Sequence, residues 1–292
     1  MDRRVGKTLE VGFWNVRTLT EERKANISTL AAKKNFDILC LAETWGRADA
    51  KADQFNLEGY QSTRNEREGG SRKGGGIQLF IKDKVKVVPY IPVSSEEYKE
   101  VDTERIWALA TGSDTKIAIG FVYAASTSVP GHVNINKKLY KLLREEGTKL
   151  AEEGFKLLFM GDFNGHLGKR TPDNPNGVEG DMCEQNQNGK LLLDFTELME
   201  LEILNNSEVC KGKFTRVEGG RVSIVDFGLS DPVLCHRIKE FNIDEGRQWA
   251  QGSDHCVLGM KIVLNNFNTD GGMQTYTDFK LRKIPSLRNI AH

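Results

Sequence analysis

Acids, amides and a histidine interrupt the otherwise apolar stretches of this 292-residue sequence. Asn15 ends "EVGFWN", Glu43 ends "DILCLAE", Tyr123 ends "IAIGFVY", and "KLLFMGDFN" closes on Asp162 and Asn164. Asp226 stands in "SIVD", and Asp254 with His255 comes just before the apolar run "CVLGMKIV". Hydrolysis of a phosphodiester calls for this inventory: a Lewis acid for the non-bridging oxygens, a positioned water with a base, and support for the departing oxygen. Carboxylates and amides, rather than thiols or histidine clusters, suit magnesium, which takes oxygen ligands, with manganese as the alternative. Glu43 is the expected metal ligand. Asp162 and Asn164, two residues apart at a strand-to-turn junction, would grip and deprotonate a water. An Asp226–His255 pair would fix an imidazole beside the phosphate.

Each residue alone has an ordinary explanation. An acid that ends a strand commonly serves a turn or a helix cap, Asn15 can cap a turn, and Tyr123 can be a half-buried aromatic. Asp226 is harder to set aside, because a carboxylate flanked by Val225 and Phe227 must be paired when buried. At strand ends, where an α/β scaffold delivers polar groups into a common crevice, the residues read as one site.

Positioning them requires strands, and short β-rich runs recur at "LEVGFW", "DILCLA", "GIQLFI", "IWALAT", "IAIGFVY", "KLLFMG", "VSIVDFGL" and "CVLGMKIV". Several are continuous rather than alternating, as in strands covered on both faces. Helical spacing appears between them. "EERKANISTLAAKKN" follows a Thr20 cap and shares a face of Ile27, Leu30 and Ala31. "NINKKLYKLLREEGTKLAEEG" repeats Ile135, Leu139, Leu142, Leu143 and Leu150 and ends at Gly154, while "GKLLLDFTELMELE" repeats Leu191, Leu192, Phe195, Leu198 and Met199. The expected fold is α/β, with two mixed sheets packed face to face and helices outside, in one catalytic domain over residues 1–264. Residues 265–292 read as a basic tail or linker, and "KRTPDNPNGVEGDMCEQNQNG" as a surface loop.

Composition narrows the class. Hydrophobic content of 38% and charged content of 28%, without an apolar run near the ~20 residues of a membrane helix, predict no membrane span. "MDRRVGKTLEVGFW" lacks the pattern of a secretion signal. Basic and acidic residues balance at 41 each, so attraction to nucleic acid must be local. Cys40, Cys183, Cys210, Cys235 and Cys256 show no C-x-x-C spacing, which predicts neither a disulfide framework nor a zinc site and favours a reducing compartment, cytosol or nucleus.

Seven blocks in order, "WN" (14–15), "DILCLAET" (37–44), "GGGIQLFI" (74–81), "VYAAS" (122–126), "GDFN" (161–164), "SIVDFGL" (223–229) and "SDH" (253–255), resemble the motifs of the endonuclease/exonuclease/phosphatase superfamily. The resemblance spans about Leu9 to Leu264 and implies a four-layered α/β sandwich. It implies that Glu43 binds the metal, helped by Asn15 and Asp254, and that Asp162 is base or water orienter with Asn164 beside it. Tyr123 would contact the scissile phosphate, and Asp226 would steady His255. "FWNVRTL" and "NQNGKLLLDFTE" look most like endonuclease domains of non-LTR (LINE-type) retrotransposons, which implies a nuclear enzyme that nicks target DNA to leave a 3′-hydroxyl for reverse transcription. The parent protein would then carry a fused reverse transcriptase, and the isolated domain would be a monomer on double-stranded DNA. Arg17 stands where abasic-site endonucleases carry an acid, which weakens the abasic-repair alternative; Ala125 replaces a usual proline, and "VDF" the commoner "IDY".

Two segments are candidates for holding DNA. "RNEREGGSRKGGG" combines Arg64, Arg67, Arg72 and Lys73 with glycines, though a plain solvated turn explains it equally well. "FTRVEGGRVS" reads as a β-hairpin with Arg216 and Arg221 flanking "EGG" and Ser223 at its end, and resembles the hairpin that retrotransposon endonucleases lay in a DNA groove. His166 reads as an exposed-loop histidine. The competing functions are abasic-site repair, a phosphatase for inositol lipids or other small phosphate esters, and a catalytically inactive nucleic-acid-binding module.

Overall fold

Strands β1 (Lys7–Asn15) and β2 (Ile38–Ala42) run parallel, joined by helix α1 (Glu21–Lys34), in a computed structural model that describes residues 7–45, 55–65, 75–83, 85–92, 103–112, 114–250 and 252–264. The Thr20 hydroxyl caps α1 by accepting the Arg23 N–H at 3.3 Å, with Glu21 and Glu22 in its first turn and Lys33 and Lys34 in its last, the charge order a helix dipole favours. Strands β3 (Tyr60–Asn65), β4 (Ile77–Lys82), β5 (Val87–Tyr90), β6 (Glu104–Thr111) and β7 (Lys116–Tyr123) follow. Helix α2 (His132–Glu152) then leads into β8 (Phe155–Asp162), and helix α3 (Gln187–Leu198) into the short β9 (Glu202–Ile203) and β10 (Cys210–Lys211). The rest comprises β11 (Arg216–Glu218), β12 (Arg221–Ser223), β13 (Asp226–Ser230), the short α4 (Pro232–Cys235), β14 (Ile238–Ile243) and β15 (Leu258–Leu264).

The strands form a seven-stranded sheet, β10-β14-β15-β1-β2-β4-β3, a six-stranded sheet, β5-β6-β7-β8-β13-β9, and a two-stranded hairpin, β11-β12. Both large sheets are mixed, since β1/β2 and β7/β8 are parallel and most other neighbours antiparallel. Alternation along each strand explains the continuous apolar runs. Ile106, Ala108, Ile119, Phe121, Leu158 and Met160 meet Val11, Phe13, Ile38 and Cys40 between the sheets. Their neighbours Trp107, Val122, Leu157 and Phe159 face α2 and α3 on one outside, and Leu39 and Leu41 face Ile27 and Leu30 of α1 on the other. Helix, sheet, sheet and helix make the four layers.

The apolar stripe expected on α3 was too wide. Leu192 and Phe195 are buried, but Leu198, the last helical residue, is 63% exposed. Segment 169–189 is more than a surface loop, because Val178, Asp181 and Asn188 within it are buried. The first two thirds of that segment hold only isolated bridges and turns. Arg72, Lys73 and the tail at 265–292 lie outside the described residues.

Candidate active site

All the strand-end residues reach one edge of the sandwich. Asn15 ends β1, Glu43 follows β2, Tyr123 ends β7 and Asp162 ends β8, while Asp226 opens the antiparallel β13 directly opposite Asp162. Asp226 is thus at the start of its strand rather than within it. Gly161 allows this convergence: a Cβ there would stand 2.2 Å from the Val122 carbonyl oxygen of the neighbouring strand.

The hydrogen bonds link these side chains into one network. The Asn15 amide nitrogen donates to Glu43 Oε1 and to Asp162 Oδ2, both at 2.9 Å. Its oxygen accepts the Arg17 N–H at 3.0 Å, so in this arrangement Asn15 bridges the two carboxylates rather than presenting them a second oxygen. Asp162 is fully buried and accepts the Asn164 backbone N–H at 2.9 Å and its amide at 3.3 Å. His255 Nδ1 lies 2.9 Å from Asp226 Oδ2, and its Nε2 faces Asp162 Oδ2 at 3.8 Å. Tyr123 hydrogen-bonds Glu43, and Trp45 Nε1 donates to the other Glu43 oxygen at 3.2 Å. Glu43 and Asn164 hold left-handed backbone conformations at φ 53° and 46°, as do Arg17, Thr18 and Trp45 beside them. Strain of this kind concentrates where surrounding structure imposes a geometry.

Electrostatics sort the roles. Burial, with the Asp226 charge next, lifts the Asp162 carboxyl to about 7, against His255 and the Asn15 hydrogen bond. Burial works against charging His255, but Asp226 and Asp162 outweigh it and raise the imidazole to about 9. Burial and the Glu43 charge push the Tyr123 phenol well above its ordinary value, so it remains a donor. Asp162, Asp226 and His255 place donor atoms within 4.8 Å of one another. That trio is a poor cage for magnesium, because one of its three atoms is an imidazole nitrogen and Asp226 is committed to His255 Nδ1. The crowding of Glu43, Asp162 and Asp226 against one imidazolium instead fits a divalent ion on the oxygen side of the site, at the half-exposed Glu43.

Asp254 is placed differently from the sequence expectation. Its Oδ2 meets Arg216 Nε at 2.6 Å and its Oδ1 lies 3.3 Å from Arg17. Burial would raise its carboxyl, but His255, Arg216 and Arg17 hold it below the ordinary value. Both oxygens therefore face cations the chain itself supplies. Arg216 also pairs with Glu218 at 2.6 Å, whereas Arg221 is exposed and Ser223 half-buried on the partner strand. Gly219 and Gly220, at φ 56° and 79°, make the two-residue hairpin turn. The hairpin stem is joined to the segment around His255 by an Arg216–His255 bridge and by Val217 N–H to Asp254 and Cys256 N–H to Thr215 bonds of 2.8 and 2.7 Å.

Several supporting residues escaped the sequence reading. The Thr215 hydroxyl accepts the backbone N–H groups of Val225 and Asp226 at 2.9 and 3.0 Å, fixing Asp226. Ser253 donates to the Asn15 carbonyl at 2.7 Å and accepts the His255 N–H at 3.1 Å. Asn136, buried on α2, brackets the Ala125 backbone at 2.7 and 3.0 Å, with Asn188 beside it, and Asn186 holds the Asn164 carbonyl at 3.0 Å. Asparagine within "NINKK" and "NQNGK" was the available signal, since an amide on an otherwise apolar helix face needs a buried partner.

The family model described as "Endonuclease/Exonuclease/phosphatase family" matches residues 12–255, the stretch from β1 through His255. The chain belongs to this family. Solved structures of the endonuclease/exonuclease/phosphatase fold superpose along most of it. The 3′ phosphatase NExo from Neisseria, bound to a product DNA hairpin, matches with a TM-score of 0.66 and 17% identity over 87% of this chain and 99% of its own. The AP endonuclease LMAP from Leishmania major gives 0.65 and 13% over 88% of each chain. The endonuclease domain of TRAS1, a telomere-specific non-LTR retrotransposon, gives 0.62 and 17% over 88% of this chain and 99% of that domain. No curated protein matches the sequence. Within this family, the chain has the nuclease/phosphatase hydrolase fold and no described helix long and apolar enough to cross a membrane.

Proposed function

We propose that the chain is a magnesium-dependent DNA endonuclease that nicks one strand of a duplex and leaves a 3′-hydroxyl. The observation that carries this reading is the unbroken Glu43–Asn15–Asp162–Asn164 network beside the Asp226–His255 pair, with a hairpin built onto the same edge. Glu43 would hold the metal, which when bound supplies positive charge to a phosphate oxygen. Asp162, oriented by Asn15 and Asn164, takes a proton from the attacking water as the new phosphorus–oxygen bond forms and the bond to the 3′-oxygen breaks, the departing 3′-oxygen taking a proton from solvent to become the 3′-hydroxyl. His255, held by Asp226, donates from Nε2 to the phosphate, and the protonated Tyr123 donates to the same group.

Use as the priming step of reverse transcription is the finer reading. It rests on "NQNGKLLLDFTE", the hairpin and the likeness to the TRAS1 domain, and it would place the enzyme in the nucleus. Abasic-site cleavage is the second reading, favoured by the fold likeness to AP endonucleases and opposed by Arg17. Supercoiled plasmid and a duplex with one abasic site, each with magnesium, separate them. Nicking of intact plasmid that stops with chelator is expected; turnover confined to the abasic duplex, or to soluble phosphate esters, overturns the first reading.

The hairpin gives a further expectation. Arg221→Ala removes an exposed charge from β12 and leaves the Arg216–Asp254 pair in place. It should reduce the salt slope of DNA binding by about 1 and relax cleavage-site preference, with Arg216→Ala plus Arg221→Ala relaxing it further. Nick mapping and titrations at several salt concentrations check this. Unchanged site choice in the double variant would rule the hairpin out as a reader.

A further inference from the structure

A second group of ligating side chains lies in the long loop between β8 and α3, separate from the strand-end network. His166, Asp181 and Cys183 bring a ring nitrogen, a carboxylate oxygen and a thiol sulfur within 4.8 Å of one another. Asp181 is fully buried and held rigidly, accepting the Gly168 N–H at 3.2 Å and the Cys183 N–H at 3.1 Å. Among the described residues no lysine or arginine pairs with it; its ionisable neighbour is His166, whose Nδ1 stands 3.8 Å from Asp181 Oδ1. That distance is beyond a hydrogen bond. The Nδ1 atom is nevertheless shielded from solvent and has no hydrogen-bond partner. A buried carboxylate and a buried ring nitrogen thus face each other across an unbridged gap, an arrangement that proteins seldom tolerate unless something fills it.

The spacing indicates what would fill it. Bonds of about 2.0–2.1 Å to nitrogen and oxygen and about 2.3 Å to sulfur put tetrahedral ligand atoms roughly 3.3–3.6 Å apart. The His166–Asp181 pair at 3.8 Å closes to that by a few tenths of an ångström, and the Cys183 sulfur, within 4.8 Å of both, reaches it by a side-chain movement of at most about 1.5 Å. The backbone is set for it: Asn186 Oδ1 accepts the His166 N–H at 3.0 Å, Asp181 holds the Cys183 N–H, and Asn174 binds the Leu167 and Lys169 carbonyls at 3.0 and 3.2 Å. We propose that His166, Asp181 and Cys183 form a site for a borderline transition-metal ion, zinc above all, with solvent as the fourth ligand. A nitrogen, oxygen and sulfur set selects against magnesium, so this site and the oxygen-rich one take different ions. The ion would clamp the loop whose two ends carry Asn164 and Asn186, giving the site a structural role independent of whether the enzyme nicks DNA.

The test uses the full chain stripped of metal and titrated with cobalt(II) in excess magnesium. A thiolate-to-cobalt charge-transfer band with tetrahedral ligand-field bands is expected at one equivalent, and zinc should displace it. Cys183→Ser should abolish the charge-transfer band, and both Cys183→Ser and Asp181→Asn should weaken binding by at least about 10-fold. Zinc should raise the melting temperature of the wild type and leave that of Cys183→Ser unmoved. Absence of the band, a band retained in Cys183→Ser, or binding lost with Glu43→Gln but kept with Asp181→Asn would overturn the proposal. Cys183 is partly exposed, so the serine variant remains informative even where the buried Asp181 replacement unfolds the protein.

Discussion

Asp162→Asn is expected to lower kcat for nicking by about 10²–10⁴-fold, the range spanned by a positioned base, with little change in DNA affinity. The replacement keeps the shape of a fully buried side chain and removes a negative charge from beside Asp226 and Glu43, but it turns one acceptor oxygen into a donor among the Asn15 and Asn164 donors, so the two effects oppose and thermal stability should change little. The wild-type rate should follow a bell. Activity climbs as the carboxyl, near 7 without an ion and lower with one at Glu43, loses its proton and falls as the imidazole, near 9 without an ion and lower with one, loses its own, the two values belonging to the interacting pair. In Asp162→Asn the acidic limb should vanish. His255 should also titrate lower, because the Asp162 charge that helps raise it is gone. Single-turnover rates across pH and imidazole NMR check both; a surviving acidic limb would assign the base elsewhere.

Glu146→Ala should cost about 3–5 kcal/mol of folding stability, the usual result of stranding one member of a buried ion pair. Glu146 on α2 is 7% exposed and Arg105 on β6 is 3% exposed. Both Glu146 oxygens lie 2.9 Å from Arg105 Nε, a guanidinium nitrogen of Arg105 binds Oε1 as well, and Trp107 Nε1 donates to Oε2 at 2.8 Å. Truncation therefore leaves a buried guanidinium and an indole N–H without their acceptor. Urea unfolding would measure the loss, and Arg105→Met combined with Glu146→Leu should recover much of it. A loss under about 1 kcal/mol would mean that water reaches Arg105 in the variant.

Strand identity and the strand-end residues were legible because burial on both sheet faces writes continuous apolar runs, and an acid or amide closing such a run stands out. Leu198 was misjudged because a leucine at i+3 from Phe195 can still lie off the buried face that Leu192, Phe195 and Thr196 define. Glu146 and Asn136 passed unnoticed because charges and amides at helical spacing look solvated until the facing strand is known, and Arg105 because a charge near the start of a strand reads as an exposed end. The same holds for His166, Asp181 and Cys183. Cysteine spacing alone gave no reason to expect zinc, and only the folded loop brings the histidine and the acid to the thiol.

The backbone bridge between Arg216 and His255 has a practical consequence for anyone who wishes to retarget such a nuclease. On the proposed function, the hairpin that would meet DNA and the segment that would cut it are hydrogen-bonded backbone to backbone, so exchanging the whole hairpin for another would shift the imidazole out of register. Swaps confined to the tip, Glu218 to Arg221, would change the surface offered to a groove while the stem keeps His255 where it is.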